Sequence, residues 1–280
     1  MLAAEFKPVL IYTTHKAASM FVHQLTSEIA QARHLHYHSI NDKDVSIYQH
    51  IVGTSWNEFI RQKLQLNQPC CFGPIRSGEG SPSIPEDLDR FSVILHLRDP
   101  RDVLVSLFFS HTFSHKIDPN IFNPGDEQRK QWEQEGVDRF SLRRANHYKD
   151  NYHYVIANLL GRKNVTLVKY EDMVLNYHLW LEQFLAAFLG GSSEKSMMQK
   201  LLNRLPFSER FKPQSAIANS PLYQQLYANH KDEFVVAKED IYRHRRQIAP
   251  GDHRRKLQPE TIAALNETFA DILSVLGYSQ

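Results

Sequence analysis

The chain has 280 residues, 42% hydrophobic and 23% charged, the balance of a globular protein with enough apolar residues for a sizeable core. A formal net charge of +2 lacks the excess of Lys and Arg that a general nucleic-acid or membrane-surface binder needs. Cys70 and Cys71 are its only cysteines, which excludes a disulfide framework, and no stretch approaches the roughly 18 apolar residues of a membrane span. The start, "MLAAEFKPVLIYTTHK", has too short an apolar run for a signal peptide, so the expected location is cytoplasmic and reducing.

The first predicted element is a strand over Pro8–Thr13, followed by a helix with Ala18, Phe21, Leu25 and Ile29 on one face. A second strand spans Cys70–Ile75 and runs into a loop rich in Gly, Pro and Ser, Arg76–Asp89. The third strand, Phe91–Leu97, leads to a helix over Asp102–Ser110 with Val103 and Leu107 in its stripe. The long polar stretch Thr112–Gly136 contains a helix former, "GDEQRKQWEQEG". Phe140–Leu160 has a helical period that stops at Gly161, and Val165–Tyr170 is the fourth strand. Trp180, Phe184, Ala187 and Phe188 mark a helix ended by Gly190 and Gly191, and a last one runs from Pro259 to Gly277. Strands alternating with helices imply a three-layer α/β fold, a mainly parallel central sheet with helices on both faces, in a single domain over residues 1–280.

Two strand-turn-helix segments carry candidate chemistry. In "VLIYTTHKAASMFVHQL" a strand ends in a turn holding Lys16 and the small residues Ala17, Ala18 and Ser19. The free N–H groups of a helix start, with about half an elementary positive charge, make an anion site there, to which Lys16 adds a full charge and Ser19 a hydroxyl. In "VILHLRDPRDVLVSLFFSH" Arg98 sits at a strand's carboxyl end and Ser106 about two helical turns on, where open α/β sheets bind ligands. An exposed lysine in an ordinary turn, and an Arg98 ion pair with Asp99 or Asp102, are the plain alternatives.

These segments resemble the sulfotransferases that use 3′-phosphoadenosine-5′-phosphosulfate (PAPS). "HKAASM" (His15–Met20) is similar to the family's "PKSGT(T)" turn around the 5′-phosphosulfate, with His15 for the proline, Ala18 for the glycine and Met20 for a hydroxyl residue. "RDPRDVLVS" (Arg98–Ser106) is similar to "RxPxDxxxS", which holds the 3′-phosphate through its Arg and Ser. "VTLVKYEDM" resembles the strand whose tyrosine, here Tyr170, helps bind adenine, and "RRQIAPGDHRRKL" resembles the basic loop over the 3′-phosphate, with Arg245, Arg246 and Gln247 as its candidates. Phe21 either stacks on the adenine or belongs to the apolar face of its helix. The resemblance implies a P-loop nucleotide-hydrolase-like fold, with Lys16, Ala17, Ala18, Ser19 and Met20 around the phosphosulfate. It also implies transfer of a sulfuryl group from PAPS to a hydroxyl or amine, with no metal, leaving adenosine 3′,5′-bisphosphate.

The candidate general base is Glu79 in the loop after the second strand, with His111, His115 and His15 as rivals. Arg76–Asp89, the segment after Ser110, and Phe109, Phe113 and Phe122 are expected to wall the acceptor, a small or carrier-bound molecule rather than a nucleic acid. A P-loop kinase is the nearest enzymatic rival, but no glycine occurs from Met1 to Val52 to supply G-x-x-x-x-G-K-[ST]. A non-catalytic nucleotide-binding or scaffold protein on the same fold is the rival from another class.

Overall fold

The computed structural model describes residues 6–39, 56–65, 68–76, 84–114, 125–189, 216–235, 239–242 and 246–279. Their centre is a five-stranded parallel sheet of β1 (Val9–Thr13), β2 (His36–His38), β3 (Cys70–Arg76), β4 (Ser92–Leu97) and β5 (Val165–Lys169), in the order β2-β3-β1-β4-β5. β1 and β4 are apolar over almost their whole length because both of their faces are covered. The helices are α1 (Ser19–Ala32), α2 (Trp56–Gln65), α3 (Pro100–Phe109), α4 (Gly125–Leu159), α5 (Tyr170–Leu175), α6 (Tyr177–Phe188), α7 (Pro221–His230), α8 (Asp252–Lys256), α9 (Pro259–Thr268) and α10 (Ala270–Leu276).

Alternation along the strands divides the core into two layers. Leu10, Tyr12, Phe72, Val93 and Leu95 face α3, α4, α9 and α10, with Phe140, Tyr152, Leu265 and Phe269 packed against them. Val9, Ile11, Cys71, Ile94 and Val168 face α1, α6 and α7, where Phe21, Leu25, Trp180 and Phe184 fill the space. At about 25 cal/mol per Å² of apolar surface, each fully buried aromatic stabilises by a few kcal/mol before its entropy cost.

The expected strands stand within a residue of their observed bounds, and the sheet adds β2, three polar residues at its edge. α3 begins earlier than Asp102, because Asp99 caps it through a 2.9 Å hydrogen bond from the Arg101 N–H and Pro100 occupies the first helical position. The predicted C-terminal helix is two, broken at the buried Phe269. α4 extends the expected helix back to Gly125, with a non-helical Gly136 (φ 77°, ψ 165°) inside it.

β3 carries a proline, which a central strand tolerates at an irregularity of the ladder. The β1–β3 register shifts between Leu10 and Tyr12, opposite Gly73 and Pro74. Gly73 has φ +125°, and a Cβ there would lie 2.6 Å from the Ile11 carbonyl oxygen, so only glycine fits. Beyond the shift, Thr13 pairs with Arg76 on one side and with His96 on the other, which levels the carboxyl ends of the three central strands.

Candidate active site

The turn after β1 puts two non-glycine residues in the left-handed region, Lys16 (φ 62°) and Ala18 (φ 58°), a concentration of backbone strain typical of functional turns. Ala18 is the N-cap of α1 and offers no side-chain cap, so the first N–H groups of that helix keep their donors for another acceptor. The buried Ser19 hydroxyl accepts a 3.1 Å hydrogen bond from Nε of Arg76, at the end of β3.

Lys16 Nζ donates to Ser110 Oγ at 2.7 Å, and the Lys16 carbonyl accepts from an Arg98 guanidinium nitrogen at 2.8 Å. The two strand ends therefore share one cleft. Burial, then the charges of Arg98, Arg76 and Arg246, lower the Lys16 pKa from 10.5 to about 8. Three arginine charges thus bear on the Lys16 ammonium at this strand edge.

Arg98 is 3% exposed and lies 4.1 Å from the centre of the Tyr170 ring, while its carbonyl accepts a 2.5 Å hydrogen bond from the Tyr152 hydroxyl. Its nearest carboxylate, Asp102, stands 3.9 Å away, and its buried Nε has no hydrogen-bond partner among the described residues. Burial disfavours the guanidinium, but Tyr170, Asp102, Glu171 and Asp252 outweigh it and raise its pKa. Asp102, Ser106 and Ser110 recur every four residues along one side of α3, so Ser106 sits between the carboxylate that faces the C-terminal segment and the hydroxyl that holds Lys16.

The C-terminal segment closes over this edge. Tyr170 donates its hydroxyl to the Ile248 carbonyl at 2.8 Å. The buried Arg246 guanidinium lies 4.1 Å from the Phe109 ring centre and is ion-paired with Glu239 and Asp252. Gln247 turns its amide oxygen back to the Ala249 N–H at 3.0 Å.

The model of the sulfotransferase domain matches residues 6–277. The chain belongs to that family. No curated protein matches it in sequence. Among solved structures it is similar to mouse sulfotransferase SULT7A1 complexed with PAP, at 17% identity and a TM-score of 0.49, over 96% of this chain and 86% of that one. It is also similar to retinol dehydratase in a complex with retinol and PAP, at 16% identity and a TM-score of 0.45, over 97% and 82%.

Within this sulfotransferase domain, Lys16, Ala17, Ala18, Ser19, Arg98, Ser106, Tyr170 and Arg246 gather at the carboxyl edge of β1, β4 and β5 or in the segment that covers it. The Tyr170 ring, expected against adenine, carries the Arg98 guanidinium. Met20 is 39% exposed at the first turn of α1. Phe21 is buried at 3% exposure and meets Phe234, His230, Tyr177 and Trp180 at ring-centre distances of 4.8 to 6.1 Å, so its ring fills core. His111 is half-buried with its ring beside Trp132 (5.7 Å) and Phe140 (6.5 Å). Phe109 lies under Arg246 and Lys256, and Phe113 packs against Phe108 and Tyr242. Glu79, His115, Phe122 and Arg245 lie outside the described residues.

Three groups of the site escape a reading by motif. Arg76 ends a strand just as Arg98 does, and that shared position was its signal. Ser110 follows Ser106 by one helical turn, which places it on the same side of α3. Tyr152, in mid α4, had no local signal. Among the described residues no group of three or more His, Cys, Asp or Glu could hold a metal, and no helix is long and apolar enough to cross a membrane.

Proposed function

We propose that the chain transfers the sulfuryl group of PAPS to a hydroxyl or amine of a small or carrier-bound acceptor. The observation that carries this reading is the hydrogen bond from Arg98 to the Lys16 carbonyl, which joins the two phosphate-type segments in one cleft. The residues fit a doubly phosphorylated nucleotide: an uncapped helix start, a buried Arg98 Nε without a partner among the described residues, and three further cations. Lys16, Ser19 and the first N–H groups of α1 would hold the 5′ end, and Arg98, Ser106 and Arg246 the 3′-phosphate. PAPS, when bound, supplies the activated sulfuryl group.

With PAPS bound, the ammonium of Lys16 and the α1 amides would stabilise negative charge on the leaving phosphate oxygen without reorganising. The protein thus provides the cations itself. A cytoplasmic location accords with Cys70 and Cys71, buried thiols whose pKa values burial raises to about 11 and about 12.

Calorimetric titration with adenosine 3′,5′-bisphosphate tests the reading. The wild type should bind it, Arg98→Ala should bind it about tenfold or more weakly, and Lys16→Ala should bind it more weakly and lose turnover with PAPS. A wild type that does not bind the bisphosphate removes the proposal, and one that binds it yet sulfonates no acceptor in a broad panel favours the scaffold alternative.

A further inference from the structure

Asp102 has no part in the chemistry above, yet its fully buried carboxylate is where the C-terminal segment is attached. One oxygen accepts from the Gly251 N–H at 2.7 Å; the other accepts from the His253 N–H at 2.9 Å and from His253 Nδ1 at 2.6 Å. Burial alone would favour the neutral acid, but the His253 hydrogen bonds and the Arg98 charge prevail and hold the carboxyl well below its usual range. Asp252, between the two anchored residues, receives the Arg246 guanidinium. Gly251 makes the bend possible with φ +78°.

Asp102 thus touches both arginines' supports: Arg98 directly, at 3.9 Å, and Arg246 through the single residue Asp252. Two guanidinium groups repel each other, so a pair that must converge on one phosphate needs a fixed spacing from elsewhere. Besides this turn, residues 246–250 are held by a 3.3 Å contact from the Asp240 N–H to the Arg246 carbonyl, the Tyr170 hydroxyl on Ile248, the Arg246 ion pair with Glu239, and Arg255 donating to the Ala249 carbonyl at 3.1 Å.

We propose that Asp102 is a positioning residue that sets the placement of Arg246 against Arg98 and thereby selects nucleotides bearing a 3′-phosphate. The inference rests on the assignment of that phosphate to Arg98 and Arg246 made under the proposed function. Asp102→Asn keeps the shape but turns an N–H₂ group toward donors, so the Gly251–His253 turn comes loose.

The test is titration of adenosine 3′,5′-bisphosphate and of adenosine 5′-monophosphate into wild type and Asp102→Asn. The variant should lose about tenfold or more of its affinity for the bisphosphate and no more than about twofold for the monophosphate. Loss on both alike, or on neither, overturns the inference, because a merely structural role would not change the ratio. If Asp102→Asn does not fold, His253→Gln carries the test, with the same split at smaller size, and a folded His253→Gln with an unchanged ratio overturns it. A wild type that does not distinguish the two nucleotides removes the phosphate assignment and this inference together. A wild type that does, with variants that keep its ratio, removes the inference alone.

Discussion

Lys16 carries its charge in the company of three arginines, and its pKa of about 8 makes ligand affinity pH-dependent. An anionic nucleotide raises that pKa on binding, so binding takes up a proton wherever free Lys16 has lost one. Affinity for adenosine 3′,5′-bisphosphate should be full below pH 8 and fall above it by up to about tenfold per pH unit. Titrations at pH 7 and pH 9.5 check this, with Lys16→Arg as control: an always-charged side chain should flatten the profile, and an equally steep one would show that another group titrates. Ala18 invites a second substitution. A left-handed alanine costs about 1–2 kcal/mol over an unstrained one, and glycine at Ala18 removes the strain but loosens the unfolded chain. Ala18→Gly should therefore raise the free energy of unfolding in urea by about 0.5–1 kcal/mol, and a loss would mean that the alanine methyl makes packing contacts worth more than the strain.

The elements legible in the sequence are those whose burial leaves a simple pattern. β1, β3 and β4 read as short apolar runs because helices cover both faces, and α1 and α6 read through their 3.6-residue stripes. β2 was illegible, since "HYH" is short and half-exposed and becomes a strand only by pairing with Cys70–Phe72. The break at Phe269 was hidden too, because Leu265, Phe269 and Ile272 keep a helical period across it. For the site, Lys16, Arg98 and Ser106 were legible by motif, whereas Tyr152, Asp252 and His253 act through contacts between distant segments that no local spacing encodes. His96 ends this pattern oddly, as a histidine in an otherwise apolar strand. It is completely buried, neither ring nitrogen has a hydrogen-bond partner among the described residues, and burial lowers its pKa from 6.5 to about 3. The unfolded chain therefore binds a proton here below pH 6.5 that the folded one refuses until about pH 3. Its contribution makes stability fall by about 1.4 kcal/mol per pH unit on acidification through that window. Urea unfolding of wild type and His96→Leu at pH 7 and pH 5 should show a variant distinctly less acid-sensitive, and parallel losses would place the titration elsewhere.

At the scale of the whole molecule, the far end of the chain is fastened to the start of α3, beside the cleft. Arg101 is 1% exposed and grips Asp99 with two nitrogens, at 3.0 and 2.6 Å. It also donates to the Asn266 side chain at 2.6 Å and to the Ser279 carbonyl at 2.8 Å. A second buried link runs in parallel. Glu171 accepts from the Asp99 N–H at 3.0 Å and from the Tyr278 hydroxyl at 2.8 Å. Residues some 178 positions apart in sequence thus hold the turn that presents Arg98. A buried ion pair adds little over an apolar pair of the same shape, but losing one partner strands the other charge, at a cost of about 3–5 kcal/mol. Arg101→Met should destabilise by that amount in urea unfolding, and Asp99→Asn with Arg101→Met should recover part of the loss, because the stranded carboxylate is then gone. The part not recovered is the cost of releasing Asn266 and Ser279. A double variant as unstable as the sum of the two single ones would mean that Asp99 and Arg101 act independently, and that the C-terminus is held by Glu171 and Tyr278 instead.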